Sequence, residues 1–274
     1  MGANLRSYLK TSGLFVFGFW VLWHLSLFFE IGPNVSAFYI PPALSLALTC
    51  VYGWRYIPII YLAAFVSSAP DLLGGEFTPF STIHSGVHAL AYGVAGAFLH
   101  SRKIQVLNID QQQNAAWLIG AGITSSFISA LGAGLIFSYY DLIPQQFIKS
   151  LVAGFWMGDL AGILLVLPLF AVLYTPNLRA RLITCIGSCI QSFKPFFVLL
   201  GLPAITVLAI YLIVMGYGGH YITVVFTFLP IAIAGTMYGI IGSVVVVFIC
   251  SVSLAILFSL TTFADLPLES IQAF

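Results

Sequence analysis

Two histidines one helical turn apart are the first residues of this chain whose type and spacing could do chemistry. His84 and His88 are four residues apart, so a helix would place both on one face. Imidazoles at this spacing can bind a metal ion, hold haem as axial ligands or titrate as a pH sensor. His24 and His220 fall toward the same predicted membrane side and extend the candidate metal or haem set to four. Ordinary interfacial or hydrogen-bonded histidines are the alternative, so the cofactor stays unknown.

A single acid, Asp159, lies near the middle of an apolar stretch. A charged aspartate at the centre of a bilayer costs about 2.5–3.5 kcal/mol on insertion scales. We therefore expect Asp159 to face the interior of a helix bundle, to be protonated or to have a partner. Together with its neighbours Trp156 and Gly158, it is a candidate for ligand contact or for coupling between helices. A structural hydrogen-bond anchor is the alternative.

The composition explains which elements must position these residues. Only 6% of the 274 residues are charged and 61% are hydrophobic, whereas a soluble domain has about 25% charged residues. The apolar blocks are long enough to cross a bilayer, which takes about 20 residues per helix. The fold class is therefore an all-α, polytopic transmembrane helix bundle. The net charge of +1 gives no basic face for nucleic acid, and we find no catalytic motif, so we expect no catalytic residues and no enzyme activity in this chain.

Hydropathy predicts nine spans in a single integral-membrane domain, 1–274. The predicted spans are 13–30, 35–53, 55–73, 80–100, 114–138, 147–174, 196–216, 221–238 and 240–262. Between the sixth and seventh spans, apolar residues recur at helical spacing in 178–193, which predicts a short helix on the membrane surface. A plain linker is the alternative. The last residues, 270–274, resemble the start of a further span, so we expect the parent protein to cross once more and to continue in the cytoplasm.

Lysine and arginine predict the orientation, because cytoplasmic loops are enriched in both. With the N-terminus in the cytoplasm, one basic residue, Lys149, falls outside. The others fall inside: Arg6, Lys10, Arg55, Arg102, Lys103, Arg179, Arg181 and Lys194.

Small residues at intervals of four predict where helices approach closely, since lipid-embedded helices associate through small side chains. They are Gly122, Ser126, Ala130 and Gly134 in the fifth span, Gly154, Gly158 and Gly162 in the sixth, and Ala89, Gly93 and Ala97 in the fourth. These three spans are expected to form the close-packed centre of the bundle.

Four short strings occur in a familiar order. They are residues 38–44 (FYIPPAL), 53–56 (GWRY), 156–162 (WMGDLAG) and 228–231 (FLPI). In this order they resemble the MASE-type membrane-associated sensor domain of the first class, and the resemblance covers nearly the whole chain. The opening stretch is similar to the membrane half of the histidine kinases that control hexose-phosphate uptake.

The resemblance implies a sensory input domain of the bacterial inner membrane. Such a domain precedes a cytoplasmic histidine kinase of a two-component system or a diguanylate cyclase, and a homodimer through the parent protein is expected. The implied stimulus is periplasmic or intramembrane: a small-molecule ligand, a partner membrane protein or the lipid bilayer itself. Trp156, Gly158 and Asp159 match the family's own element, whereas His84 and His88 do not belong to the family pattern. A transporter or substrate-binding membrane component is the rival, although no matched halves are visible.

Overall fold

The computed structural model describes residues 2–32, 35–36, 38–68, 79–104, 112–216, 230–250 and 253. The predicted all-α bundle is confirmed, because the described part of the chain is mainly helical, with one small hairpin of two antiparallel strands, β1 (Glu30–Gly32) and β2 (Val35–Ser36). The helices are α1 (Gly2–Leu27), α2 (Pro41–Tyr52), α3 (Ile57–Ser67), α4 (Pro79–Ser101), α5 (Gln112–Tyr139), α6 (Ile148–Tyr174), α7 (Pro176–Gln191), α8 (Phe193–Phe196), α9 (Leu202–Gly216) and α10 (Pro230–Cys250). Single 3-10 turns, Trp54–Tyr56 and Gln145–Phe147, lead into α3 and α6, and a π-helical stretch, Phe197–Gly201, joins α8 to α9.

Not every predicted span is a long helix. In the described ranges, three stretches are by length and composition apolar enough to cross a membrane: Gln113–Tyr139, Gln145–Leu173 and Pro230–Cys250, the last of which turns back on itself at Gly239. A pair bent by 109°, Pro176–Ser188 with Phe193–Ala209, would make a fourth. The count of nine spans therefore stays a prediction.

The second predicted span, 35–53, contains a helix that begins only at Pro41. Two adjacent prolines lack backbone N–H groups and suit the first turn of a helix, where those groups have no partner within the helix. At 1.5 Å per residue the 12 residues of α2 cover about 18 Å, less than the roughly 30 Å of a hydrocarbon core. The non-helical residues 38–40 thus continue the path of α2 inside the protein.

The chain divides into two compact units, Met1–Leu167 and Pro168–Phe274, each described here by itself. The single domain 1–274 stays a prediction. In the first unit α4 is the central helix, packing against α2, α3 and α5, while α1 packs against α2 and α3. A buried apolar cluster joins these helices through Phe19 of α1, Leu48 of α2, Ile60 of α3 and Ala89 of α4.

The basic residues of the first unit other than Lys149 lie toward one end. The Tyr8 hydroxyl, near the start of α1, donates to the Arg55 carbonyl oxygen at 3.3 Å. The His100 ring, at the end of α4, lies 3.0 Å through Nδ1 from the carbonyl oxygen of Cys50 in α2. The start of α1 and the ends of α2 and α4 are therefore neighbours, as the charge pattern predicts. The assignment of this end to the cytoplasm stays a prediction.

In the second unit, the segment 178–193 is mostly helical, as α7, so the plain-linker alternative is wrong. Leu178 and Leu182 are buried on one side of α7, while the side chain of Ile183 is 64% exposed. Cys185 packs against a cluster that includes Val198 and Cys250. The position of α7 on the membrane surface stays a prediction.

The chain reverses direction at Gly239. This residue has φ +65°, and a Cβ placed on Gly235 would lie 2.6 Å from the Ser243 hydroxyl oxygen. A Cβ on Gly242 would likewise press on the carbonyl oxygen of Ala234. Residues eight apart in a straight helix are separated by about 12 Å, so α10 consists of two arms that turn back on each other. The turn lies at the predicted boundary between the eighth and ninth spans.

Gly239→Ala is expected to destabilise the second unit by about 1–2 kcal/mol, because a Cβ in the left-handed region is close to the following carbonyl oxygen. Thermal unfolding in detergent would measure this change. Gly187→Ala in α7 is the matched control, since its Cβ would enter open space and alanine favours a helix by about 1 kcal/mol over glycine. An equal midpoint for the two variants would contradict the strained turn.

Candidate functional site

Asp159 lies in a buried polar cluster of the first unit that links three helices. Its side chain, on α6, is 3% exposed. The Tyr92 hydroxyl of α4 donates a short hydrogen bond to Asp159 Oδ2. The Ser129 hydroxyl of α5 is a second hydrogen-bond partner of the carboxyl group. The partner expected for an acid at this depth is therefore supplied by two neighbouring helices.

The non-helical residues 38–40 lie against α6 beside Asp159. The Tyr39 N–H donates to the Gly158 carbonyl oxygen at 3.1 Å, and the Ile40 N–H donates to Ser26 Oγ of α1 at 3.0 Å. Irregular backbone is tolerated at membrane depth only where protein or trapped water satisfies its polar groups. The partners found in α6 and α1 meet that requirement.

Gly162 allows this close approach. A Cβ placed on Gly162 would overlap the Tyr39 carbonyl oxygen, which is a backbone atom and cannot move by changing a rotamer. The two strings 38–44 and 156–162, distant in sequence, therefore meet in the structure. Gly158 and Gly162, predicted to serve helix packing, contact this backbone segment.

His88 is buried and hydrogen bonded. Its Nε2 lies 3.2 Å from Ser45 Oγ of α2, and the same hydroxyl donates to the Pro41 carbonyl oxygen at 3.1 Å. Since a serine hydroxyl has one proton and a carbonyl oxygen only accepts, these bonds fit a His88 whose Nε2–H donates to Ser45. The ring also lies 5.5 Å from the Phe19 ring and 4.7 Å from the Tyr92 ring, centroid to centroid. With this tautomer Nε2 has no lone pair for a metal.

The other histidines are placed differently. His84 is half-buried with its ring 6.2 Å from that of Phe155. His24 makes a contact of 2.9 Å from Nδ1 to the Trp20 carbonyl oxygen within its own helix. His220 lies outside the described residues. In the part of the chain that the structure describes, no group of three or more His, Cys, Asp or Glu side chains is arranged to hold a metal ion.

The small residues of α5 face α6 and α4. A Cβ on Gly122 would lie 2.9 Å from Ile163, and one on Gly134 would overlap Val152. Val87 of α4 approaches Gly132 in the same way. Ser126 and Ala130, which complete the predicted stripe, are fully buried, and Gly154 is half-buried.

Trp156, at the start of the string 156–162, has a buried indole N–H for which the described residues provide no hydrogen-bond acceptor. Its ring lies 5.3 Å from that of Phe127 in an edge-on arrangement. Buried polar groups normally have partners. This donor therefore marks a position beside Asp159 where an acceptor would be stabilised.

Four residues were not predicted: Tyr92 and Ser129 of the cluster, Tyr39 beside it, and Ser45, the partner of His88. Tyr92 follows His84 and His88 at the same interval of four, so the face that carries the histidines already contained it. No comparable signal marks Ser45 or Ser129, whose roles depend on which helices are neighbours.

The comparison with known families decides what kind of domain carries this cluster. The family model of MASE1 matches residues 9–268. The chain belongs to the MASE1 family. MASE1 domains are membrane-associated sensor domains, so this chain is a multi-pass membrane protein with a sensory role. No curated protein and no solved structure matches the chain significantly.

In this MASE1 domain the cluster connects α4, α5 and α6 by hydrogen bonds. The carboxyl group of Asp159 accepts hydrogen bonds from the Tyr92 hydroxyl of α4 and the Ser129 hydroxyl of α5. Its own helix, α6, contacts residues 38–40 through the Gly158 carbonyl oxygen and through Gly162. Movement of any one element changes the bonds of the others. Buried polar networks of this kind have few alternative arrangements, because each unsatisfied group is costly.

Proposed function

We propose that this chain is the sensory input module of a bacterial inner-membrane signalling protein, with its N-terminus in the cytoplasm. A periplasmic or intramembrane stimulus changes the packing of α4, α5 and α6. The observation that carries this proposal is the buried cluster of Asp159, Tyr92 and Ser129, which joins those three helices. The MASE1 match supports the sensory role.

Asp159 is the coupling residue in this proposal. A ligand shifts a two-state bundle only by its differential affinity for the two states. The unsatisfied N–H of Trp156 favours the state in which an acceptor reaches it. Gly122 and Gly134 keep α5 and α6 so close together that a small sliding movement of one helix changes the contacts of the other. Such a slide changes whether the Tyr92 hydroxyl still reaches the carboxyl group.

The output belongs to a domain that follows the membrane spans in the parent protein. A histidine kinase of a two-component system or a diguanylate cyclase fits the family, and a homodimer is expected because such outputs work as pairs. The last spans would carry the packing change from the bundle to the output domain.

Asp159→Asn in the full-length protein is expected to change the basal output about tenfold. The amide keeps the volume of the carboxyl group but weakens a charge-assisted hydrogen bond worth about 1.5–3 kcal/mol, and each 1.4 kcal/mol is a factor of ten in an equilibrium. Phosphorylation or cyclic dinucleotide synthesis in membrane vesicles, at equal protein amount, would measure the output. Asp141→Asn, the same change at an exposed site, is the control. Wild-type output from Asp159→Asn, both basal and under every stimulus applied, would contradict the coupling role.

A transporter is the second candidate, and the non-helical residues 38–40 are the observation that favours it. Transporters often bind substrates where helices are interrupted in the membrane. Uptake of a labelled solute into proteoliposomes that contain this chain alone would support a transporter. In the described part of the chain no group of three or more His, Cys, Asp or Glu side chains is arranged to hold a metal ion, and the haem alternative stays a prediction.

A further inference from the structure

An open apolar groove runs between α4 and α5 on the first unit. Its volume is about 940 Å³, within the roughly 300–1,000 Å³ of ordinary ligand sites. The groove contains small residues such as Ala91 and Ala121, and large exposed side chains such as Leu90 and Leu135 flank it. This shape suits a long, thin apolar molecule.

The two hydroxyl groups that line the groove are already satisfied. Thr124 donates to the Gly120 carbonyl oxygen at 2.8 Å, and Ser125 donates to that of Ala121 at 2.7 Å. Because both bonds stay within α5, neither hydroxyl needs a polar partner in the groove. An occupant therefore gains from shape and apolar contact along most of its length.

One end of the groove carries a cation. The Arg102 guanidinium carbon lies 5.3 Å from the centroid of the Phe98 ring, which itself lines the groove. Trp117, 6.1 Å from Phe98 between ring centroids, lines the same end. An aromatic pair beside an arginine is typical of the membrane–water interface.

The end of α4 does not cancel this positive charge. The carbonyl oxygens of the last turn would attract cations and repel anions, but backbone N–H groups already cover three of them, including that of Phe98, which accepts from the Arg102 N–H at 3.2 Å. Arg102 and Ile104 both donate to Leu99, at 3.1 Å, and Lys103 donates to His100 at 3.0 Å. The side chains of Arg102 and Lys103 are exposed and available to an anion.

We propose that this groove binds an anionic phospholipid, with one acyl chain along α4 and α5 and the phosphate on Arg102. A guanidinium group recognises phosphate through paired hydrogen bonds, and anionic lipids concentrate on the side where the basic residues are predicted to lie. The groove is separate from the cluster around Asp159. The proposal therefore stands whether or not the sensory coupling through that residue holds.

Photo-crosslinking tests this site in liposomes. The probes are phosphatidylglycerol and phosphatidylcholine with the same diazirine-bearing acyl chain, each used as a tracer in liposomes of one unlabelled mixture of the two lipids, with adducts mapped by peptide mass spectrometry. We expect phosphatidylglycerol adducts to concentrate on α4 and α5 and to exceed those of phosphatidylcholine there by about fivefold, the factor that one basic residue near an anionic surface contributes. Arg102→Gln should remove most of that preference, whereas Arg179→Gln, an exposed cation of the second unit, should keep it.

Ala121→Phe fills the groove and should lower adducts of both lipids on α4 and α5. If the phenylalanine of Ala121→Phe disturbs folding, Arg102→Gln still tests the site, because Arg102 is exposed and its replacement should not affect folding. Equal adducts from the two lipids, or adducts spread over all helices, would each overturn the proposal.

Discussion

Gly162→Ala is expected to destabilise the first unit by about 3 kcal/mol, at the upper end of the range for overpacked sites. The added methyl group would overlap the Tyr39 carbonyl oxygen, and the obstructing atom belongs to backbone. Relief requires residues 38–40 to move away from α6, which would also break the bond from the Tyr39 N–H to the Gly158 carbonyl oxygen. The loss should appear as a lower midpoint of thermal unfolding in detergent.

Gly120→Ala on α5 is the matched control, because its Cβ would meet nothing within 4 Å. That substitution should leave stability unchanged or raise it by up to about 1 kcal/mol through helix propensity. If Gly162→Ala unfolds at the same temperature as Gly120→Ala, residues 38–40 do not dock on α6 as described.

The second large effect is expected at the bond between Tyr92 and Asp159. Tyr92→Phe leaves a buried carboxyl group with one partner fewer, and Asp159→Leu leaves a buried hydroxyl group without its acceptor. Each single change should cost about 1–3 kcal/mol, because an unsatisfied buried group loses its solvation in full. The double variant should cost less than the sum, since the hydroxyl and the carboxyl group that the single changes leave unsatisfied are both removed, and only the Ser129 hydroxyl loses its partner.

A double-mutant cycle on the free energy of unfolding measures this coupling, which we expect to be on the order of 1 kcal/mol in a membrane protein. Tyr8→Phe provides the control cycle with Asp159→Leu, because the Tyr8 hydroxyl bonds to the Arg55 carbonyl oxygen at the basic end of the unit. That pair should be additive within about 0.5 kcal/mol. Additivity of Tyr92→Phe and Asp159→Leu would argue against a direct bond.

The helical fold could be predicted from the sequence because the low charge and the long apolar blocks leave few other structures. The pair Pro41-Pro42 also marked the true start of α2, but hydropathy alone extended that span back to residue 35. The apolar character of 38–40 reflects burial inside the protein. Hydropathy measures burial and does not distinguish helix from extended backbone at that depth.

The site could be predicted only in part. The cost of an acid in lipid required that Asp159 have a partner, but periodicity shows which face of a helix a residue occupies and not which helix lies opposite. Tyr92 and Ser129 became partners through the packing of α4 and α5 on α6. His84 and His88 do lie one turn apart on α4, but His88 alone bonds to Ser45, and its partner could not be read from the interval.

The docking of residues 38–40 also has a consequence for biogenesis. Ribosomes synthesise Tyr39 four predicted spans before the Gly158 carbonyl oxygen that accepts its N–H in the folded protein. An unsatisfied backbone group in lipid costs several kcal/mol, so the second span cannot reach its final state when it leaves the translocon. Until the sixth span is inserted, the Tyr39 N–H must bond to another acceptor or remain near the membrane–water interface. The N-terminal region is therefore completed in the membrane by a later part of the chain, and a truncation before residue 158 should leave it unable to mature.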